Sequence, residues 1–329
     1  LGRPYDVAAL PEMVQRYEAF KRDPKGPAPK VPFQMLTALP LEAEAWKTIA
    51  RNASWQMTRM NLNTFARHGV FEDGEMVSLV AERLASAELV RKARVFPYQL
   101  LAATQCLGDR VPGAVRDALR EAMEVALENV PRIDGRIYVL PDVSGSMQSP
   151  VTGFRRGSTT KVRCIDVAAL VAAAFLRVNH KTQVLPFHDR VERCRLDPRD
   201  GVSRNAQKLA SLPSGGTNCA APLAELNARK ARGDLVVFVS DSESWIDTTR
   251  RWNSGTPVME QWAVYRRRNP KAKLVCIDVQ PYGSTQAPNR SDILNVGGFS
   301  DSVFRVIGEF VAGGRSDDHW VDVIEAIEV

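Results

Sequence analysis

The sequence predicts two parts: a helical-repeat region over residues 1–134, then a doubly wound α/β domain over 135–329. Three observations carry this. Up to residue 134 the apolar residues recur at helical spacing. From Gly135 continuous apolar runs alternate with helical segments, the pattern of a mostly parallel sheet covered on both faces. Three oxygen-rich segments also stand at strand ends or helix starts, where open α/β sheets bind their ligands.

In the first part, Asp6 to Arg22 reads as one amphipathic stretch, and Asp23-Pro24-Lys25-Gly26-Pro27-Ala28-Pro29 as an exposed loop. Helices are expected over 31–39, 41–52, 54–67, 74–90, 97–107 and 113–129. Pro97 suits a first helical turn, where its missing N–H costs nothing. Apolar stripes such as Met76, Val77, Val80 and Leu84 imply helix pairs packed as a solenoid or bundle, although no exact repeat period is readable.

The second part reads as strand 136–142, helix 161–178, then strands 182–188 and 190–195 joined around Asp189 as a hairpin. Helices near 204–211 and 218–230, strand 234–241, helix 257–268, strand 272–279, a short strand near 293–297 and helix 301–312 follow. The hairpin implies one antiparallel edge strand.

Composition narrows the class. Hydrophobic residues at 44% and charged residues at 25% fit a folded soluble protein. The longest apolar run, Val167 to Leu176, is too short to cross a membrane, and no signal peptide is visible. Cys106, Cys164, Cys194, Cys219 and Cys276 show no C-x-x-C pair, which predicts reduced thiols and a cytoplasmic setting. Four histidines without metal-binding spacing argue against a zinc hydrolase. Most of the net charge of +6 lies after residue 134. Its clusters (Arg155-Arg156, Lys161/Arg163, Arg250-Arg251, Arg266-Arg267-Arg268) fit a solvated face and a nucleic-acid surface about equally.

The oxygen-rich segments point to a hard divalent cation, Mg²⁺ above all. Asp142-Val143-Ser144-Gly145-Ser146 follows the apolar run Ile137 to Leu140, so one carboxylate and two hydroxyls alternate along a turn. Ser214-Gly215-Gly216-Thr217 presents a hydroxyl at a helix start, and the run 235–240 ends in Asp241. Ser144, Ser146 and Thr217 would supply neutral oxygens, with Asp142 and Asp241 ligating directly or through water. Alone, Asp142 to Ser146 reads equally well as a tight capped turn; the two partner segments favour the metal.

Asp142-x-Ser144-x-Ser146, Thr217 and Asp241 resemble the metal-ion-dependent adhesion site (MIDAS) of von Willebrand factor A domains. The segments 93–103, Gly215 to Leu223 and Ser240-Asp241-Ser242-Glu243-Ser244, with Arg51 to Val70, where Ala50-Arg51-Asn52 is expected to open a helix carrying Met57-Thr58-Arg59, are similar to the Ro autoantigen (TROVE) family. The likeness runs from about residue 31 to 312 in family order. It implies a ring of HEAT-like helical repeats closed by an A-type domain, forming a ribonucleoprotein. Structured Y-like RNA would bind outside the ring, single-stranded ends of misfolded RNA would enter its hole, and an exoribonuclease is an implied partner. The residues before 135 are too few for a complete ring, so a fragment or a remodelled ring is expected. Asn218 stands where the family usually carries an acid.

RNA binding needs cations for phosphates and donors or flat groups for unpaired bases. Arg51, Asn52, Arg59, Asn61, Asn63, Arg67 and His68 crowd one region, and the 59/63/67 spacing places side chains on one helical face. Lys92 and Arg94 precede Phe96-Pro97 and are candidates for the same surface. A solvated face, with His68 as a helix-end cap, is the alternative for each. Trp46, Trp55 and Trp262 read as core, and Trp245 as a residue at the rim of the metal site. The resulting expectation is a non-catalytic RNA-binding protein for RNA quality control. The alternative is an A-domain protein-interaction scaffold in which a partner's carboxylate completes the Mg²⁺ shell. A metal nuclease fits least, because no second carboxylate cluster and no placed general base are present.

Overall fold

The computed structural model describes residues 6–24, 29–153, 161–241, 256–280, 287, 290–299 and 302–313. It forms two compact units, 1–94 with 106–122 and 95–105 with 123–329. This cuts the chain differently from the expected division at 134/135. Residues 95–105 and 123–134 pack with the α/β unit rather than with the other helices.

In the first unit, a 3₁₀ turn at Val7–Ala9 precedes α1 (Glu12–Arg22), α2 (Phe33–Thr37), α3 (Ala43–Asn52), α4 (Trp55–Met60), α5 (Leu62–Arg67), α6 (Gly74–Ala85) and α7 (Ala87–Lys92). Trp46, Ile49, Ala50 and Ala53 line one face of α3 at helical spacing, and Met76, Val80 and Leu84 do the same on α6. With Phe20, Leu36 and Phe65, the α3 stripe and Met76 form one apolar cluster.

Two expected long helices are broken. At Asn61 (φ −115°) the backbone leaves helical geometry and the side-chain amide donates to Met57 O, dividing 54–67 into α4 and α5. Ser86, in extended conformation, accepts from Leu89 N–H and starts a new helix inside 74–90. Ala50-Arg51-Asn52 is the last turn of α3, not the opening of a helix; α4 is capped separately by Ser54.

Arg83 holds this region together. Its guanidinium donates to Ala50 O and Arg51 O (both 2.6 Å), carbonyls of the last turn of α3, and to Thr58 Oγ1 on α4 (3.1 Å). Replacing it with methionine removes all three of these bonds, and Ala50 O keeps only the long one from Ala53 N–H (3.4 Å). Arg83→Met is expected to cost about 2 kcal/mol, from two or three lost hydrogen bonds of about 1 kcal/mol each, measurable by urea denaturation.

In the second unit, α8 (Pro97–Gln105) precedes the end of α9 (Gly113–Ala126). There follow β1 (Ile137–Pro141), α10 (Cys164–Val178), β2 (Thr182–Val184), α11 (Val202–Ala210), α12 (Ala221–Ala228), β3 (Leu235–Ser240), α13 (Pro257–Arg268), β4 (Lys273–Asp278), β5 (Ile293–Gly297) and α14 (Val303–Ala312). The strands run parallel in the order β2-β1-β3-β4-β5. Every residue of β1 and β3 is buried, as their unbroken apolar runs require. Tyr138, Leu140, Val236 and Phe238 face the cluster that Leu223, Leu226, Trp262 and Tyr265 bring from α12 and α13. The alternate residues meet α10, which is buried along nearly its whole length.

The expected hairpin does not form a second strand. β2 ends at Val184, and Phe187 makes only single bridges, parallel to Asp142 and antiparallel to Val191. Pro186 has no N–H to offer the returning chain, although its carbonyl accepts from Glu192 N–H, and His188 N–H folds back onto Arg190 O. No antiparallel edge strand appears among the described residues. The chain moves from β1 to β2 on one side and then to β3 on the other, so the topological switch point lies between β1 and β3.

Candidate metal centre and nucleic-acid interface

The switch point is where the oxygen donors gather. Pro141 is in register with Val239, and Asp142 N–H donates to Val239 O (2.9 Å), which brings Asp142 level with Ser240 and beside Asp241. Asp142 is fully buried. Its Oδ1 accepts from Ser144 N–H (2.8 Å) and its Oδ2 from the Ser240 hydroxyl (2.7 Å). Ser144 Oγ and Ser146 Oγ lie 3.2 Å apart, Ser144 buried and Ser146 half-buried.

The second loop is tied to the first. Gly145 N–H donates to Gly215 O (3.0 Å), linking the serine turn to Ser214–Thr217, and Thr217 is buried. Both loops also hang on residues 187–188: Val143 N–H donates to Phe187 O and Asn218 N–H to His188 O, each at 2.8 Å. The His188 ring accepts Asp189 N–H at Nδ1 (2.7 Å) and bonds Glu192 through Nε2 (2.9 Å). Gly215 lies directly against this ring, where a Cβ would come within 2.7 Å of Nδ1. Asn218 is structural here, its Oδ1 accepting from Ala220 N–H as α12 begins.

This donor set fits a hard cation. Burial pushes the Asp142 carboxyl up to about 6; the Ser144 and Ser240 hydrogen bonds pull it down, and the neighbouring Asp241 raises it further. Asp142 and Asp241 are thus two buried carboxylates close enough for one to raise the other, an arrangement that a cation would stabilise. Among the described residues no three His, Cys, Asp or Glu side chains form a metal cluster. The candidate donors are two carboxylates and three hydroxyls, oxygen ligands of the type that suits Mg²⁺.

The RNA-binding candidates all lie in the first unit. Arg51 and Asn52 are exposed at the end of α3, and the Arg83 bridge to Arg51 O and Thr58 places that end against α4, which carries Arg59. Arg59 Nε donates to Gln56 Oε1. The 59/63 spacing straddles the break at Asn61, so only 63/67 lies on one continuous helix. Asn63 is a brace: its amide donates to Cys106 O (2.7 Å) and accepts from Gly108 N–H (2.8 Å). His68 is half-buried, stacked on Trp46 at 4.3 Å, and burial, then Arg67, lowers its pKa. Arg67 and Lys92 are exposed at the ends of α5 and α7, and Arg94 is exposed with a left-handed backbone (φ 47°).

Trp46, Trp55 and Trp262 are core. Arg163 is anchored to Asp166 and Gln148 at the start of α10, while Lys161 is exposed. Arg155, Arg156, Ser242, Glu243, Ser244, Trp245, Arg250 and Arg251 lie outside the described residues. Sequence reasoning missed Ser240, Arg83 and His188. Ser240 was legible as the hydroxyl beside Asp241, and Arg83 as the one cation of α6, beside its apolar stripe.

Residues 10–178 match the TROVE domain family and residues 136–311 match the Ro60 vWA domain family. A protein of Deinococcus radiodurans called RNA-binding protein RO60 is 28% identical over 295 residues, covering 84% of this chain and 54% of its own length. A protein of the same name from Caenorhabditis elegans is 24% identical over 281 residues, covering 82% and 42%. The chain thus spans about half the length of the curated relatives it matches. The crystal structure of the Deinococcus radiodurans RO (RSR) protein superposes with a TM-score of 0.69 at 23% identity, over 92% of this chain and 60% of that one, and shares the fold. No described helix is long and apolar enough to cross a membrane. With helices followed by a parallel sheet whose switch point carries the oxygen cluster, the chain belongs to the TROVE family and ends in a von Willebrand factor A domain of the Ro60 type.

Proposed function

We propose that this chain is a non-catalytic RNA-binding protein of a Ro-like ribonucleoprotein. It takes small structured Y-like RNA and the ends of misfolded RNA for RNA quality control. The observation that carries the reading is the ordered match to both families across residues 10–311, together with relatives named as RNA-binding proteins. Phosphates would meet Arg51, Arg59, Arg67, Lys92 and Arg94, and Asn52 would donate to bases. Asn63 and His68 act by shaping that surface, since the Asn63 amide is engaged on both sides and the His68 ring is stacked on Trp46.

Asp142, Ser144, Ser146, Thr217 and Asp241 would hold Mg²⁺. Ser146 is half-buried, and on this reading an acidic group of a protein partner, such as an exoribonuclease, would complete the cation's shell from that side. The two roles are compatible, with RNA on the helices and protein at the cation.

The test is RNA affinity as a function of salt. Each neutralised phosphate contributes about 0.7–0.9 to the slope of log affinity against log salt. Changing Arg51, Arg59 and Arg67 together to glutamate is expected to lower affinity at least tenfold and to flatten the slope by about 2. Salt-insensitive binding, or none, by the unaltered chain would overturn the reading.

A further inference from the structure

The end of the sheet opposite the metal centre carries a second group of cations. Arg136 immediately precedes β1, Arg232 lies just before β3 and Lys271 just before β4. These three strands are adjacent in the sheet, about 4.8 Å apart. Lys230 and Arg267 join them from the ends of α12 and α13.

The backbone knits these loops into one surface. Asn269 donates to Ala231 O (3.2 Å) and accepts Gly233 N–H (3.2 Å), joining the loop before β3 to the end of α13. Asp234 N–H donates to Arg136 O (2.9 Å), and Tyr138 Oη donates to Arg232 O (3.1 Å). The row is therefore held on strand starts rather than on free loop tips.

Neighbouring cations have structural work. Lys273 donates to Phe310 O and Val311 O at the end of α14, Arg266 to Ala272 O and Arg268 to Asn227 Oδ1. Arg229 pairs with Glu225, and Arg290 with Asp292. By contrast Arg136, Lys230, Arg232, Arg267 and Lys271 are exposed, and among the described residues none of their side chains makes an ion pair or hydrogen bond. Lys230 and Arg267 complement the negative ends of α12 and α13. Arg136, Arg232 and Lys271 stand outside any helix, so that role does not account for them. Asp234, in the loop before β3, accepts the Arg136 backbone N–H (2.8 Å).

We infer that this edge of the A-type domain is a second RNA contact, gripping the phosphate backbone of a single strand without reading its bases. A protein partner would call for an apolar anchor among the charges. Of the exposed large apolar side chains among the described residues, Met13, Val14, Met35 and Met60 belong to the first unit, and Val264, one turn before Arg267 on α13, is a single small side chain at the margin of the row. With no exposed aromatic ring in the row for stacking, contact is confined to phosphates and tolerates any sequence. This inference rests on the RNA-binding reading and adds a surface to it.

The test uses the full chain and fluorescent uridine and adenosine 20-mers. Arg232→Glu, Arg267→Glu and Lys271→Glu are combined in one variant, with thermal unfolding as the folding control. Affinity for both oligomers is expected to fall at least tenfold, with a salt slope lower by about 2. Wild-type affinity and slope in this variant, while the Arg51/Arg59/Arg67 variant loses binding, would overturn the inference and leave the RNA reading standing. Loss of polyglutamate binding without loss of RNA binding would also overturn it, assigning the edge to an acidic protein. Absence of RNA binding by the unaltered chain would overturn both.

Discussion

Asp142→Asn is expected to abolish stabilisation by Mg²⁺ while making the metal-free protein more stable above pH 6. The amide oxygen still accepts Ser144 N–H, and the amide nitrogen can donate to Ser240 Oγ, reversing the bond that the hydroxyl makes to the carboxylate. It removes a charge that the site tolerates poorly without a cation. In the folded chain the carboxyl is raised by burial to about 6 from 3.8. The folded state therefore keeps a proton between about pH 4 and 6 that the unfolded chain has released, and stability falls as pH rises through that window. At 1.36 kcal/mol per unit the penalty is about 3 kcal/mol at most, on an order-of-magnitude scale. Mg²⁺ at a hundredfold excess over its dissociation constant returns about 2.7 kcal/mol. Wild-type protein should thus gain more in melting temperature from Mg²⁺ at pH 8 than at pH 5, and the asparagine variant should gain nothing at either. An unchanged Mg²⁺ response in that variant would remove Asp142 from the site.

Gly215→Val is expected to weaken Mg²⁺ at least tenfold, through position rather than through any ligand. A Cβ at 215 would lie 2.7 Å from His188 Nδ1 and 3.2 Å from Cγ and Cε1. The ring cannot swing aside cheaply, because it is buried and held by Glu192 and by Asp189 N–H. The turn must move instead, carrying Thr217 away from Ser144 and Ser146. Overpacking of this kind costs about 1–3 kcal/mol in stability. Adding His188→Ala makes room, so the double variant should recover much of the Mg²⁺ affinity, a coupling that a double-mutant cycle reads directly. Gly145→Ala is the control: its nearest neighbour is Gly215 O at 3.6 Å, an ordinary contact. Equal losses for the 145 and 215 variants would refute the steric account.

Much of this site was legible in the sequence because strand ends are local and their meaning is topological. The apolar runs at 137–141 and 235–239, each short and bounded by turn residues, fit buried parallel strands, and the carboxylates that follow them then fall at the carboxyl edge. The pairing of β1 with β3 follows from doubly wound connectivity, which is why Asp142 and Asp241 could be placed together in advance. Other features depended on contacts between distant segments. Nothing local to Asn63 shows that its amide joins Cys106 and Gly108, 43 and 45 residues away. The breaks at Asn61 and Ser86 are decided by side chains that compete with helical bonds, a contest that apolar periodicity does not register. The hairpin at 182–195 is incomplete because Pro186 lacks the donor that would face the returning chain at Glu192, while Leu185 and Phe187 still donate to β1, a signal present in the sequence but outweighed by the apolar residues around it. His188 has meaning only once Gly215 is folded against it.

The most direct test of the central claim is to locate a cation on the protein. Crystals soaked in Mn²⁺ should show one anomalous scattering peak at the carboxyl ends of β1 and β3, ligated by Ser144, Ser146 and Thr217 with Asp142 and Asp241 in direct or water-bridged contact. A fully soaked crystal with no peak there, or with its strongest peak elsewhere, would contradict the account.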